Sequence, residues 1–154
     1  MIRIERDPAF WREIACHPAV APALIGLSPE VVGEFATRPD VLPLAAVHGG
    51  FLFVRRDELG FSCELHSLFT PGGWGREVHE AGWQALNALW LLGYQTLTTF
   101  EAAVNERSRP PRSFGFIACG PWRETPFGTL RQWVLTREAF AASPAAQRRR
   151  RQCQ

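Results

Sequence analysis

Residues 64–82 read ELHSLFTPGGWGREVHEAG. The segment passes from an alternating, strand-like run through Pro71, Gly72 and Gly73, and then into the first turns of an amphipathic helix. In the run FSCELHSLF, side chains alternate across the pleat. Phe61, Cys63, Leu65, Ser67 and Phe69 therefore share one face, and Ser62, Glu64, His66 and Leu68 the other. Beyond the glycines, Val78, Ala81, Ala85, Leu86, Leu89 and Leu92 recur at three- and four-residue spacing. This predicts a helix from Gly75 to about Leu92, with Gly93 as its stop. A strand that enters a helix through glycines aims the unpaired N–H groups and positive dipole end of that helix at whatever lies above it, which is the physical basis of an anion site. PGGWGREV matches neither the P-loop nor the dinucleotide fingerprint, lacking the Lys-Ser/Thr of one and the G-x-G-x-x-G of the other.

Working outward, IRIE reads as a short strand. Asp7 and Pro8 open a helix that runs through Cys16 and closes at Pro18, and Ser28, Pro29 and Glu30 open a second in the same way. VLPLAAVH and FLFVRR read as two strands joined by a tight hairpin at Gly49 and Gly50. After the long helix, YQTLTTFEAAV predicts a strand, NERSRPPRSFG a short helix or turn interrupted by Pro110 and Pro111, and FGFIACGPW and LRQWVLT two closing strands. This alternation argues an α/β or α+β sheet with helices on its faces.

The 154 residues fit one domain, since domains most often hold roughly 100–150 residues. That domain is expected over residues 1–146, with 147–154 as a disordered, Arg-rich tail. No apolar run reaches the roughly 20 residues of a membrane span, and the charged N-terminus does not read as a signal peptide, so a soluble cytoplasmic protein is expected. The net charge is +2 and the tail carries four arginines, which leaves the body at −2; nucleic acid is an unlikely partner for such a fold. All seventeen basic residues are Arg, a pattern read as biased base composition. Cys16, Cys63, Cys119 and Cys153 have no paired spacing, so reduced, mostly buried thiols and no metal site are expected.

The longer stretch from Leu68 to Gly120, LFTPGGWGREVHEAGWQALNALWLLGYQTLTTFEAAVNERSRPPRSFGFIACG, resembles the core of the GNAT N-acetyltransferase superfamily in its order of strand, turn, helix, strand, Asn, short helix and Gly-Phe. The flanking IACHPAV, LHSLF and WGREVHEAG resemble a branch common in phages and prophages. The resemblance implies a mixed, mostly antiparallel sheet of about six or seven strands with helices on both faces. It further implies acetyl-CoA as cosubstrate, held by Leu68, Trp74, Gly75, Arg76, Glu77, Val78, His79 and Asn105. The acceptor would be an amine, either a small molecule or the N-terminus or side chain of a protein, and a homodimer is left open. The chain departs from the signature of the family. Trp74 stands at an Arg/Gln position, Glu77 and His79 at glycine positions, and the usual Tyr acid near Pro111 is absent.

Acetyl transfer needs a base for the ammonium, a partner for the thioester oxygen and an acid for the thiolate. Glu64 and His66 lie on one strand face about 7 Å apart by strand rise, and either suits the base; Glu101 is a further candidate. Partial burial would raise the Glu64 carboxyl toward the working range. Ser108 is a candidate for protonating the thiolate. In the superfamily, backbone N–H groups of this strand, splayed by a bulge, serve the oxygen. His48 is read as structural. Two rival readings remain: a GNAT-like module that binds coenzyme A or protein without turnover, and an accessory protein that uses the Arg tail on nucleic acid.

Overall fold

The computed structural model describes residues 1–24, 26–105 and 109–152. In chain order the elements are β1 (Arg3–Ile4), α1 (Pro8–Cys16), α2 (Pro29–Thr37), β2 (Val41–Ala45), β3 (Gly49–Arg55), β4 (Ser62–Phe69), α3 (Arg76–Leu91), β5 (Thr96–Ala102), β6 (Ile117–Thr125), β7 (Gly128–Thr136), α4 (Arg137–Ala141) and α5 (Pro144–Gln152). The strands form one seven-stranded sheet in the order β1-β2-β3-β4-β5-β7-β6. Neighbours run antiparallel except β4 and β5, which α3 joins by the crossover that parallel strands require.

The N-terminal helices start where their caps dictate. Asp7 Oδ1 accepts from the Ala9 N–H at 2.8 Å, and Ser28 Oγ from the Val31 N–H at 3.3 Å, with proline as the first helical residue in both. The amphipathic faces of α1 and α2 bury Trp11, Ile14, Val32 and Ala36 against Val41, Leu52, Val54 and Leu68. On the opposite face of the sheet, α3, α4 and α5 bury Ala85, Leu89, Phe140 and Ala145 against Phe51, Phe53, Leu97 and Leu135. Each large apolar side chain taken fully out of water stabilises such a layer by about 1.5–3 kcal/mol, so the alternation along β3 and β4 fixes which face each residue serves.

Three expectations are corrected. Gly49 and Gly50 do not form the β2–β3 turn but begin β3. A Cβ on Gly49 would stand 2.1 Å from the Leu68 carbonyl oxygen, and one on Gly50 2.3 Å from that of Leu44, so these glycines serve close strand approach. Residues 147–152 are helical rather than disordered. Ser143 Oγ accepts from the Ala146 N–H, Ala145 and Ala146 are buried, and Arg149 pairs with Glu80 and lies 5.3 Å from the Trp83 ring centre. Among the described residues the cysteines are not mostly buried: Cys16 and Cys119 are exposed, while Cys63 sits inside the core, where burial pushes its thiol up to about 12; Cys153 lies outside the described residues. Among the described residues, no helix is long and apolar enough to cross a membrane.

Candidate functional site

Strands β4 and β5 are paired over Ser62–Glu64 and Thr96–Thr98 only. Past that point they part, and the Thr99 hydroxyl reaches across the gap to donate to the Leu65 carbonyl at 2.9 Å. The β3–β4 ladder runs from Gly49–Phe69 to Arg55–Cys63, and the β5–β7 ladder from Thr96–Thr136 to Ala102–Leu130, both without a register shift, so the opening comes from two regular ladders that part and not from a bulge in β4. A cavity of about 1090 Å³ passes through this opening and reaches both faces of the sheet.

The α3 end of the cavity is lined by Trp74, Gly75, Val78, His79, Asn105 and Phe114. The glycine-rich turn does two separate jobs here. Gly72 and Gly73 let the chain close over His48, since a Cβ would come within 2.8 Å and 3.0 Å of that side chain respectively. Gly75 caps α3 with φ +84° and ψ −111°, a conformation that L-residues resist, and open space surrounds the position a Cβ would take. The amides of the first helical turn therefore begin beside the cavity without a cap side chain over them.

Glu77 turns away from this end. Its carboxylate accepts from the His48 backbone N–H at 2.9 Å and meets His48 Nδ1 at 2.6 Å. Burial raises its carboxyl, but the His48 contacts outweigh burial and hold it below its ordinary value. His48 is thus the clamp between the β2–β3 connection and α3, and its carbonyl also accepts from Thr70. Arg76 is exposed, and neither its side chain nor that of Glu77 lines the cavity; what these two residues offer the site is backbone N–H. Leu68 lines the cavity from the opposite, α1–α2 face, as part of the core there.

Toward α1 and α2, Glu64 and His66 point from the same face of β4 and touch: His66 Nε2 lies 2.9 Å from Glu64 Oε1. Arg56, at the end of β3, donates to Glu64 Oε2. Burial raises the Glu64 carboxyl, yet His66 and Arg56 together hold it below its ordinary value, so the expectation that burial would lift Glu64 into the working range of a base is overturned. An ionised carboxylate only accepts, so the contact puts the hydrogen on His66 Nε2 and leaves Nδ1 of the neutral ring with its lone pair. Glu101 is buried and committed elsewhere, to Arg109 and to the Trp133 indole, each at 2.9 Å, and it does not line the cavity. Ser108 lies outside the described residues.

Sequence reasoning missed Arg56, Thr99 and Ser113, all of which border or brace the cavity. Arg56 sits one residue beyond the β3–β4 register pair Arg55–Cys63, so a correct hairpin register would have brought it to Glu64; no local pattern marks the other two.

No family profile matches the chain, and no curated protein matches it. Solved structures do. The spermidine N-acetyltransferase of Vibrio cholerae, solved with CoA and spermine, superposes with a TM-score of 0.67 over 91% of this chain and 96% of its own, at 13% identity. An aminoglycoside acetyltransferase in complex with coenzyme A gives 0.67 over 92% and 97% at 16% identity. A probable GNAT-family acetyltransferase from Chromobacterium violaceum gives 0.67 over 87% and 84% at 16%. This is the GNAT fold. At these identities the likeness establishes the fold alone, and within it the GNAT sheet of this chain opens between its two parallel strands, where the cavity lies.

Proposed function

We propose that the protein transfers an acetyl group from acetyl-CoA to an amine. The observation that carries the reading is one cavity that crosses the sheet where β4 and β5 part, with the uncapped start of α3 on one side and the Glu64–His66 pair on the other. Solved neighbours of the same fold are acetyltransferases that hold coenzyme A, which supports the assignment.

In this reading the first-turn amides of α3 receive the pyrophosphate, because unpaired N–H groups and the dipole both favour an anion. Asn105 and Ser113 are polar side chains on the same end of the cavity. The thioester lies in the gap beside β4. The Leu65 carbonyl faces β5, so by two-residue alternation the Ser67 N–H points the same way, into the gap, where it serves the carbonyl oxygen. His66 Nδ1 takes a proton from the ammonium of the acceptor, directly or through one water. The freed amine attacks the carbonyl carbon, the new C–N bond forms, the C–S bond breaks, and the thiolate leaves and takes up a proton. Glu64 is the positioning residue: it fixes the His66 tautomer and stabilises the imidazolium.

A second reading, coenzyme binding without turnover, is favoured by one observation. The single tyrosine, Tyr94, lies outside the cavity, which leaves no phenol to protonate the thiolate. Thermal denaturation with and without acetyl-CoA, followed by mass spectrometry of candidate amines incubated with both, separates the two. Stabilisation with acetylated product supports transfer, stabilisation without product supports the module, and no stabilisation at millimolar acetyl-CoA removes both.

A further inference from the structure

Resting on the acetyl-transfer reading, we infer that the acceptor is a primary amine carried on an apolar body with no second cationic group, such as an arylalkyl or alkyl amine. The half of the cavity that faces α1 and α2 decides this.

Away from Glu64, His66, Arg38 and Arg56 its wall is hydrocarbon. Ala23, Leu24, Leu27, Phe35 and Leu52 line it, and Phe127 at the tip of the β6–β7 hairpin closes one side. The hairpin tip is fixed by Thr125, whose Oγ donates to the Gly128 carbonyl at 2.8 Å and accepts from the Phe127 N–H at 3.1 Å. Phe127 stands so close to the α1–α2 connection that a Cβ on Gly26 would meet its ring at 2.8 Å. The two segments therefore meet at the edge of the half-cavity, where the exposed Phe127 ring extends its apolar wall.

The charges lining the cavity are the wrong set for a polycation. Among the described lining residues they are one carboxylate, Glu64, and three guanidinium groups, Arg38, Arg56 and Arg109. Both oxygens of Glu64 are taken, Oε1 by His66 and Oε2 by Arg56. Arg38 is held by Asp40 at 2.9 and 2.5 Å. A second or third ammonium here would find no free carboxylate among the described lining residues and would face like charge, and a desolvated cation without a partner is strongly disfavoured. One ammonium, by contrast, is the group that His66 deprotonates, and the remainder of the molecule gains by leaving water for the apolar wall. The acceptor class therefore differs from the polycations named for two solved neighbours, spermine and the aminoglycosides.

The test is turnover with acetyl-CoA of tryptamine, phenethylamine and hexylamine against spermidine and kanamycin, with products identified by mass and acetyl-CoA binding followed in parallel by thermal shift. The apolar monoamines are expected to exceed the polycations in kcat/KM by at least about tenfold, since even one methylene in an apolar pocket is worth roughly 10–200-fold. Leu27→Asp and the exposed Phe127→Asp, which leaves the core untouched, should both narrow that ratio by adding a carboxylate to the wall. Spermidine or kanamycin as the better acceptor overturns the inference. So does normal acetyl-CoA binding with no monoamine acetylated, or with the ratio unmoved in a folded Phe127→Asp. Absent acetyl-CoA binding instead overturns the acetyl-transfer reading on which the inference rests.

Discussion

At the α3 end of the cavity the polar feature is backbone, a helix start with no side chain capping it, set among Trp74, Val78, His79 and Phe114, whereas the α1–α2 end carries polar side chains that hold one another, Arg56 to Glu64 to His66. The first kind of site depends on conformation, so its weak point is the one residue whose φ and ψ only glycine adopts readily. The second kind depends on a chain of hydrogen bonds, so each member sets the state of the next. Amides at a helix start do not depend on which side chains leave it, and Glu77 is turned to His48.

The largest effect is expected at the side-chain end. His66→Gln should lower kcat by roughly 10²–10⁴-fold if the imidazole is the general base. Its melting temperature should move little, because His66 is partly exposed and lines the cavity. Steady-state turnover with an accepted amine checks this, and near-normal turnover would give the base role to another group.

Next is the backbone end. At about 100 times its dissociation constant, acetyl-CoA should stabilise the wild type by about 2.7 kcal/mol, or roughly 5–11 °C in Tm for a domain of this size. Gly75→Asp should abolish that shift, through strain at φ +84° and a carboxylate at the proposed phosphate position, while the unliganded protein stays folded. If Gly75→Asp binds normally, the two ends are not divided as described.

Glu64→Gln sharpens the comparison through pH. The Glu64 carboxyl is held below its ordinary value of 4.5, so its contribution to stability is complete above that pH and is lost as pH falls through the folded value. Chemical denaturation at several pH values should therefore show wild type exceeding Glu64→Gln most near neutrality, with the difference shrinking below 4.5. Turnover of Glu64→Gln should fall less than that of His66→Gln, as expected of a positioning residue.

The smallest effect is expected from truncation after Ala146. It removes the exposed Arg149–Glu80 pair and the guanidinium over Trp83, which are worth about 1 kcal/mol together, or roughly 2–4 °C. An unchanged melting curve would mean that α5 contributes nothing through its arginines.

Much of the fold was legible because its signals are local. The caps at Asp7 and Ser28, the 3.6-residue spacing of α3 and the alternation in β4 all lie where the structure has them. The errors came where the deciding partner is distant. Gly49 and Gly50 read as a turn because adjacent glycines permit one, but what demands glycine there is the carbonyl of Leu68 or Leu44 on neighbouring strands. The Arg run read as disordered because its composition is polar, yet Glu80, Trp83 and the buried Ala145 and Ala146 give it a surface to pack on.

By itself the sequence determined the order of strands and helices from β1 to β7, the faces of β4 and the glycine-bearing start of α3, since periodicity and capping act over a few residues; it did not give α4 and α5. Tertiary structure alone decided that β4 and β5 part after Glu64 and Thr98, and that Arg56 reaches Glu64 and, with His66, holds its carboxyl below its ordinary value against burial. It also decided that Phe127 meets Gly26 above an apolar pocket. Each of these is set by which strand lies beside which, and with what register, and hydrogen bonds and charge pairs between residues far apart in the chain leave no periodic trace in it.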